Sequence, residues 1–361
     1  MKNWILIQLI IFSVLLSNCN QVDVNQMTAE TELAGVYATR TEQAKPTSTP
    51  IPTATPVPTP IGGGSGKILY EESRSENDDS SDIVIIDIDT KVTINLTNNQ
   101  NKNITNYYPA ISPDGKKIAY SLGTKEDLQL GEFWKYELFV MDVDGTNKEK
   151  ISAIQMFVGN NQIDTLLQEF QPAWSPDGKK IAFSSNRNSL INNLNIDDSE
   201  IFVVDLGSFD IQQLTKARDY SETPDWSPDS TKIAFMSNRD GDWDIYIMNS
   251  DGTGKDVNIT NNTFSERFPS WSHDGKFIVY HSDRDGNNNL YIYIVDTGEE
   301  IQLTNKPSGE WTGRWSPDDN WIAFGSDRDG DYEIYIINVN TKEEIKITDN
   351  EFEESWQNWI P

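Results

Sequence analysis

The 361-residue sequence predicts an all-β fold, a six-bladed β-propeller of four-stranded antiparallel blades. Three observations carry that expectation: a turn motif that returns along the chain, short strands without a convincing helix, and two chain ends that complete each other. The motif is Ile111-Ser112-Pro113-Asp114-Gly115, then Trp174-Ser175-Pro176-Asp177-Gly178 and Trp226-Ser227-Pro228-Asp229-Ser230. It returns as Trp271-Ser272-His273-Asp274-Gly275 and Trp315-Ser316-Pro317-Asp318-Asp319. The first residue of each copy, the Trp slot, is spaced by 63, 52, 45 and 44 residues. The later spacings approach the ~40–45 residues of a propeller blade.

One unit shows the strand order. Pro269-Ser270-Trp271-Ser272 is an inner strand, and His273-Asp274-Gly275-Lys276 is a tight turn. Phe277 to Ser282 is a second strand rich in β-branched and aromatic residues. Asp283-Arg284-Asp285-Gly286-Asn287 is a polar loop, Leu290 to Val295 a third strand, and Ile301 to Thr304 a short outer one. Residues 67–97 hold matches to the second, third and fourth strands, with no first. Ser355-Trp356-Gln357-Asn358-Trp359-Ile360-Pro361 repeats Trp315-Ser316-Pro317 at a spacing of 44. The tail therefore supplies the missing inner strand, which closes six blades into a ring without an orphan edge.

The unit Pro-x-Trp-Ser-Pro-Asp-Gly-Lys-x-Ile-Ala-Phe, followed by Ser-Asn/Asp-Arg-Asp-Gly, Ile-Tyr and Leu-Thr, resembles the WD-like repeat of the TolB-type propeller. The resemblance spans residues 67–361 and implies the fold. It leaves function open, because such folds carry scaffolds, receptors and enzymes. TolB itself has an additional α/β domain before its propeller, which residues 20–66 are too few to form.

The N-terminal part reads as address and tether. Residues 1–18 resemble an export signal, with Lys2 ahead of the 13-residue apolar run Trp4–Leu16, short of the ~20 residues of a membrane span. Leu16-Ser17-Asn18-Cys19 resembles a bacterial lipobox, which implies lipidation of Cys19 and a lipid-anchored protein facing the periplasm or the cell exterior. Asn18 departs from the small residue usual there, and a plain secretory signal is the alternative. Residues 19–44 are expected to be a disordered tether. Residues 45–66 form a Pro/Thr-rich linker that ends in a Gly62-Gly63-Gly64-Ser65-Gly66 swivel.

Composition sets limits on chemistry. Lys and Arg number 29 against 57 Asp and Glu, a net charge of −28, which excludes a general nucleic-acid binder. One cysteine permits no internal disulfide, and two histidines permit no His-rich metal site. Hydrolytic chemistry needs a nucleophile with a base in reach, and only His273 and His281 are available as imidazoles. The expectation is a monomeric, non-catalytic module.

Antiparallel order sorts the loops onto two faces. Loops entering each inner strand, and those joining strands two and three, share the funnel face; the Ser-Pro-Asp-Gly turns lie opposite. Glu169, Glu266, Glu310 and Glu354 each lie five residues before a Trp slot, and Glu222 lies four before. They are expected to ring the tunnel mouth and concentrate cations or a basic protein or peptide segment. Alternatively, Arg187, Arg239, Arg284 and Arg328 pair with these acids and the Asp-Gly pairs only build turns. Asp327 to Asp331 has alternating oxygens that suit Ca²⁺, without the 12-residue frame of a dedicated loop. Trp311 and Trp356 fall near the mouth as ligand contacts, whereas the Trp-slot residues read as packing between blades.

Insertions at Leu122–Tyr136, Ala153–Gln168 and Asn188–Ser199 fall on one side of the funnel. They hold Phe133, Trp134, Met156, Phe157, Ile163, Leu166, Leu167, Leu190 and Ile191, which form either a docking lobe or a self-packed cap. A second functional reading is a glycan binder or carboxylate-based glycosidase, which needs two carboxylates ~5–9.5 Å apart.

Overall fold

In a computed structural model, the described residues are 61–75, 78–98, 100–128, 131–152, 157–158, 161–162, 167–187, 198–216 and 219–361. Cys19, the export signal, the tether and most of the linker lie outside them, as do Met156, Ile163, Leu166, Leu190 and Ile191. The chain forms six four-stranded antiparallel sheets and one two-stranded hairpin, Phe157–Val158 with Asn161–Gln162. Five sheets run in chain order from inner to outer strand. The sixth is led by the C-terminal strand Glu354–Ile360, which pairs antiparallel with Lys67–Ser75. Lys67 lies opposite Ile360, Ile68 opposite Trp359 and Leu69 opposite Asn358. The ring is closed as the permuted ends predict.

Each sheet is buried on both flanks, so the core lies between blades. Val279, Leu290 and Ile292 of one blade pack with Trp315, Ile322, Phe324 and Tyr335 of the next. At the closure, Ile68, Tyr70 and Val84 pack with Ala323, Ile334 and Ile336 of the preceding blade, and Trp359 seals the cluster. These apolar flanks explain why the second and third strands read as unbroken runs such as Ile334-Tyr335-Ile336-Ile337 rather than as alternations.

The recurring polar letters are structural. The serine after each of the first five Trp slots accepts the N–H that opens the next strand, as Ser175 does from Lys180 at 2.9 Å, and donates to the turn aspartate, here Asp177 at 2.7 Å. The threonine or serine that ends each outer strand accepts an N–H from the third strand. Thr97, Thr215, Thr260, Thr304 and Thr348 serve Ile83, Ile201, Ile245, Leu290 and Ile334 at 2.8–3.0 Å, and Ser152 serves Leu138 at 3.1 Å. Turn glycines Gly115, Gly178 and Gly275 are left-handed, φ 68–74°. Asp319 takes that conformation without being glycine, at φ 56°. Its carboxylate accepts the backbone N–H groups of His273 and Asp274 in the neighbouring blade at 2.7 and 2.8 Å, which offsets the strain.

Four Trp-slot residues staple their blade to the one before. The indole N–H of Trp174 donates to the Ala110 carbonyl at 3.0 Å, Trp226 to Ala173 at 3.1 Å, Trp315 to Ser270 at 3.2 Å and Trp359 to Arg314 at 3.1 Å.

Two expectations change. The swivel at Gly62–Gly66 is docked: Ser65 N donates to Ile360 O at 3.1 Å and Asp318 N to Gly62 O at 3.2 Å. Left-handed glycines allow this close seat, since a Cβ on Gly62 would run into the Trp359 ring and one on Gly64 into the Ile360 carbonyl. The insertion at Leu122–Tyr136 is not a loop but a continuation of the sheet. Lys117–Leu128 and Gly131–Asp142 stay paired out to Leu128 opposite Gly131, because Thr124, Phe133, Trp134 and Tyr136 favour extended backbone.

Replacing Trp359 by Ala removes one staple and the indole between the first and last blades. We expect a loss of about 3–5 kcal/mol in urea or guanidinium unfolding.

Candidate functional site

The funnel face is set by one backbone feature. The residue three before each Trp slot has a left-handed backbone: Tyr108, Gln171, Thr223, Phe268, Thr312 and Trp356 all have φ of 53–57°. Register slips by one residue at this point in each inner strand, as between Arg267 and Ser270 or Trp311 and Arg314. Such a bulge reverses the in–out alternation beyond it.

That reversal relocates the acids. Plain alternation would aim the residue five before the Trp slot at the axis; the bulge turns it onto the blade flank. Glu169, Glu266, Glu310 and Glu354 are wholly buried, and Glu222 is half-buried. The ring of free carboxylates expected at the tunnel mouth is therefore absent. Arg284 lies across its blade between Glu266 at 3.2 Å and Glu300 at 2.6 Å, with its guanidinium over the Tyr280 and Tyr291 rings. Arg328 repeats this with Glu310 and Glu344 against Phe324 and Tyr335. Arg187 pairs with Glu169 over Phe183 and Phe202, and Arg239 with Asp256 over Phe235 and Tyr246. Buried charges need such partners. Glu222 accepts from Ser199 at 2.7 Å, and Glu354 from Thr348 and Asn350. Burial and the neighbouring Glu333 carboxylate hold Glu354 well above the usual carboxylate range.

The loop aspartates are also engaged. Asp240 accepts the Tyr246 hydroxyl at 2.6 Å, and Asp285 and Asp329 accept those of Tyr291 and Tyr335. Among the described residues, no group of three or more His, Cys, Asp or Glu side chains is placed to hold a metal ion.

Acidity on this face belongs instead to the rim. Asp219, Asp240, Asp242, Asp283, Asp285, Asp329, Glu351 and Glu353 are exposed in its loops. Inside the rim lies an aromatic floor. Trp356 stands edge-on to Tyr108 at 4.5 Å and to Phe268 at 5.1 Å, and closes the axis. The rings continue through Phe170, Tyr136 and Trp134, with centroid separations of 5.4, 4.7 and 6.2 Å. Trp311 leans on Tyr332 at 4.9 Å, and Trp243 on Tyr220 at 5.9 Å with Arg267 over it. Phe264 and Phe352 add exposed rings. Trp311 and Trp356 belong to this group of rings. Tyr108, Phe268 and Trp243 were missed. Aligning the blades three residues before the Trp slot would have shown Tyr108, Phe268 and Trp356 in register.

Beneath this floor a channel opens on the opposite face, with a volume of about 390 Å³. Its mouth carries Pro113, Pro176, Pro228, His273 and Pro317, and its walls include Ala110, Ala173, Asp225, Arg314 and the Trp-slot indoles. His281 is buried in the second strand beside Phe268, and burial pushes its imidazole down to about 3. His273 is exposed, 3.1 Å from Asp319.

Comparison with known proteins matches a family model described as the TolB beta propeller domain over residues 124–305 and 253–361, more than half of the chain. The chain belongs to the TolB beta propeller family. The TolB-family chain is 30% identical over 166 residues to an uncharacterized protein of Agrobacterium fabrum, covering 46% of this chain and 47% of that one. It is 36% identical over 77 residues to dipeptidyl-peptidase 5 of Porphyromonas gingivalis, covering 21% of this chain and 9% of that one. It spans less than half the length of either relative. The crystal structure of TolB from Acinetobacter baumannii superposes with a TM-score of 0.65 at 21% identity, over 82% of this chain and 67% of that one. That likeness establishes the fold.

One buried acid beside the floor is testable. Glu71 is 7% exposed and accepts the backbone N–H of bulge residue Tyr108 at 3.1 Å. Burial pushes its carboxyl from 4.5 up to about 8. A raised acid contributes stability fully below the unfolded value, and that contribution fades as pH rises through the folded one. Stability should therefore fall between about pH 5 and about pH 9, and Glu71→Gln, which keeps the acceptor, should flatten that fall in urea midpoints.

Proposed function

We propose that this TolB-family propeller is a non-catalytic binding module of the cell envelope, tethered by a lipid on Cys19. It holds a basic protein or peptide segment on its funnel face. The observation that carries the reading is the pairing of an exposed acidic rim with a half-exposed aromatic floor. Carboxylates at the rim raise the local concentration of a cationic segment and speed its encounter. Rings such as Trp311 and Tyr332 supply contact area and cation–π attraction for Lys and Arg. The route of the chain supports the same orientation. Residues 61–66 enter along Ile360 and Asp318, on the face of the Ser-Pro-Asp-Gly turns, so the funnel face points away from the entering segment.

The aromatic floor also suits a glycan, which would stack on Trp311 without needing the charged rim. Salt separates the two. A fluorescent Lys-rich peptide should bind the protein and lose at least about ten-fold in affinity between low and high salt, as screening shortens the reach of the rim. Combining Asp242→Asn, Glu351→Gln and Glu353→Gln should weaken binding at low salt and reduce the salt dependence. Trp311→Ala should weaken binding at both salt concentrations. Salt-insensitive binding, or binding unchanged by the triple substitution, would overturn the cationic reading.

A further inference from the structure

The residue just before each Trp slot lines the axial channel, and the six positions hold five residue types: Ala110, Ala173, Asp225, Ser270, Arg314 and Asn358. Aspartate and arginine are the residues of opposite charge type among them, in a channel whose other lining includes prolines, indoles, Gln171 and Asn358. Charge in such a place costs stability unless something compensates it. The Asp225 carboxylate accepts the Trp271 backbone N–H at 2.7 Å, and Arg314 donates Nη1–H to the Pro269 carbonyl at 3.2 Å. Burial raises the Asp225 carboxyl and lowers the Arg314 guanidinium, while each favours the other's charged form. Among the described residues the two form no contact ion pair. A guanidinium has five N–H donors, so Arg314 keeps capacity for a ligand.

A second observation lies between them. Trp271 is 8% exposed and its indole N–H has no partner. Trp174, Trp226, Trp315 and Trp359 all donate theirs to the preceding blade. The one broken staple is the one whose preceding-blade neighbour is Asp225. A buried donor left unmade is costly, and Trp271 lines the channel.

We propose that the channel binds a small zwitterion, a free amino acid or short peptide carrying both termini. Its ammonium pairs with Asp225, its carboxylate with Arg314, and its apolar side chain rests on the indoles. The cavity of about 390 Å³ lies in the range of small-molecule sites. This site is on the face opposite the funnel and stands or falls independently of the peptide reading.

The test is calorimetric titration of the full chain with L-phenylalanine, with Ala-Phe, and with Ala-Phe acetylated at its N-terminus, amidated at its C-terminus, or blocked at both ends. At least one free zwitterion should bind more tightly than about 1 mM, and the blocked dipeptide at least about ten-fold more weakly than the free one. Whichever free compound binds better identifies the amino-acid or the peptide source. Asp225→Asn should abolish discrimination against acetylation alone, and Arg314→Gln discrimination against amidation alone. Equal binding of free and blocked dipeptide by the unmodified protein would overturn the proposal, and so would no binding at millimolar concentration. Neither result depends on whether the variants fold.

Discussion

Pairing of Glu354–Ile360 with Lys67–Ser75 is the constraint on which the rest of the molecule depends. Without it the first blade has no inner strand, and the cluster of Ile68, Tyr70 and Trp359 with Ala323 and Ile336 has no seal. An unclosed row of sheets would have no axis, so neither the aromatic floor nor the channel beneath it would exist. Closure also explains why Trp356, at the far end of the sequence, meets Tyr108 and Phe268 edge-on. The three rings come from three blades and converge only because the ends meet.

Within that ring, the left-handed residue of each inner strand decides what faces where. It sends the acids before it onto the blade flanks, where arginines lie between carboxylates and aromatic rings. It leaves the residues after it facing the axis. The strong net negative charge thus divides into three populations. Glu266 and Glu310 are structural and spent on arginines. Asp114, Asp177 and Asp229 hold turns together. A third population is exposed to solvent, the acids of the funnel rim among them.

The fold was legible because its information is local and repeated. The Ser-Pro-Asp-Gly copies, the strand pattern and the permuted tail each pointed to the same closed ring. The arginine pairing was legible as one of two alternatives, since a charge five residues before a buried tryptophan needs a partner. The orientation of the acids was not legible, because a positive φ at residues as unlike as Thr223 and Trp356 leaves no common letter in the sequence. The docked glycines were read as a swivel for a similar reason. Gly62 and Gly64 are small to admit Trp359 and Ile360, residues nearly three hundred positions away. Asp225 and Arg314 were invisible as a pair, since each is an ordinary surface residue until the ring places both on one axis.

The two faces divide the molecule's chemistry. One offers a wide, acid-rimmed aromatic surface, and the other a narrow channel lined by Asp225 and Arg314. Both require the closed ring. Native-state hydrogen exchange across the closure tests it most directly. Amides of residues 355–360 should exchange with protection comparable to the second strands of the other blades, and lose it only in global unfolding. Rapid exchange of those residues, while Phe277–Ser282 and Trp321–Ser326 stay protected, would contradict the closed ring.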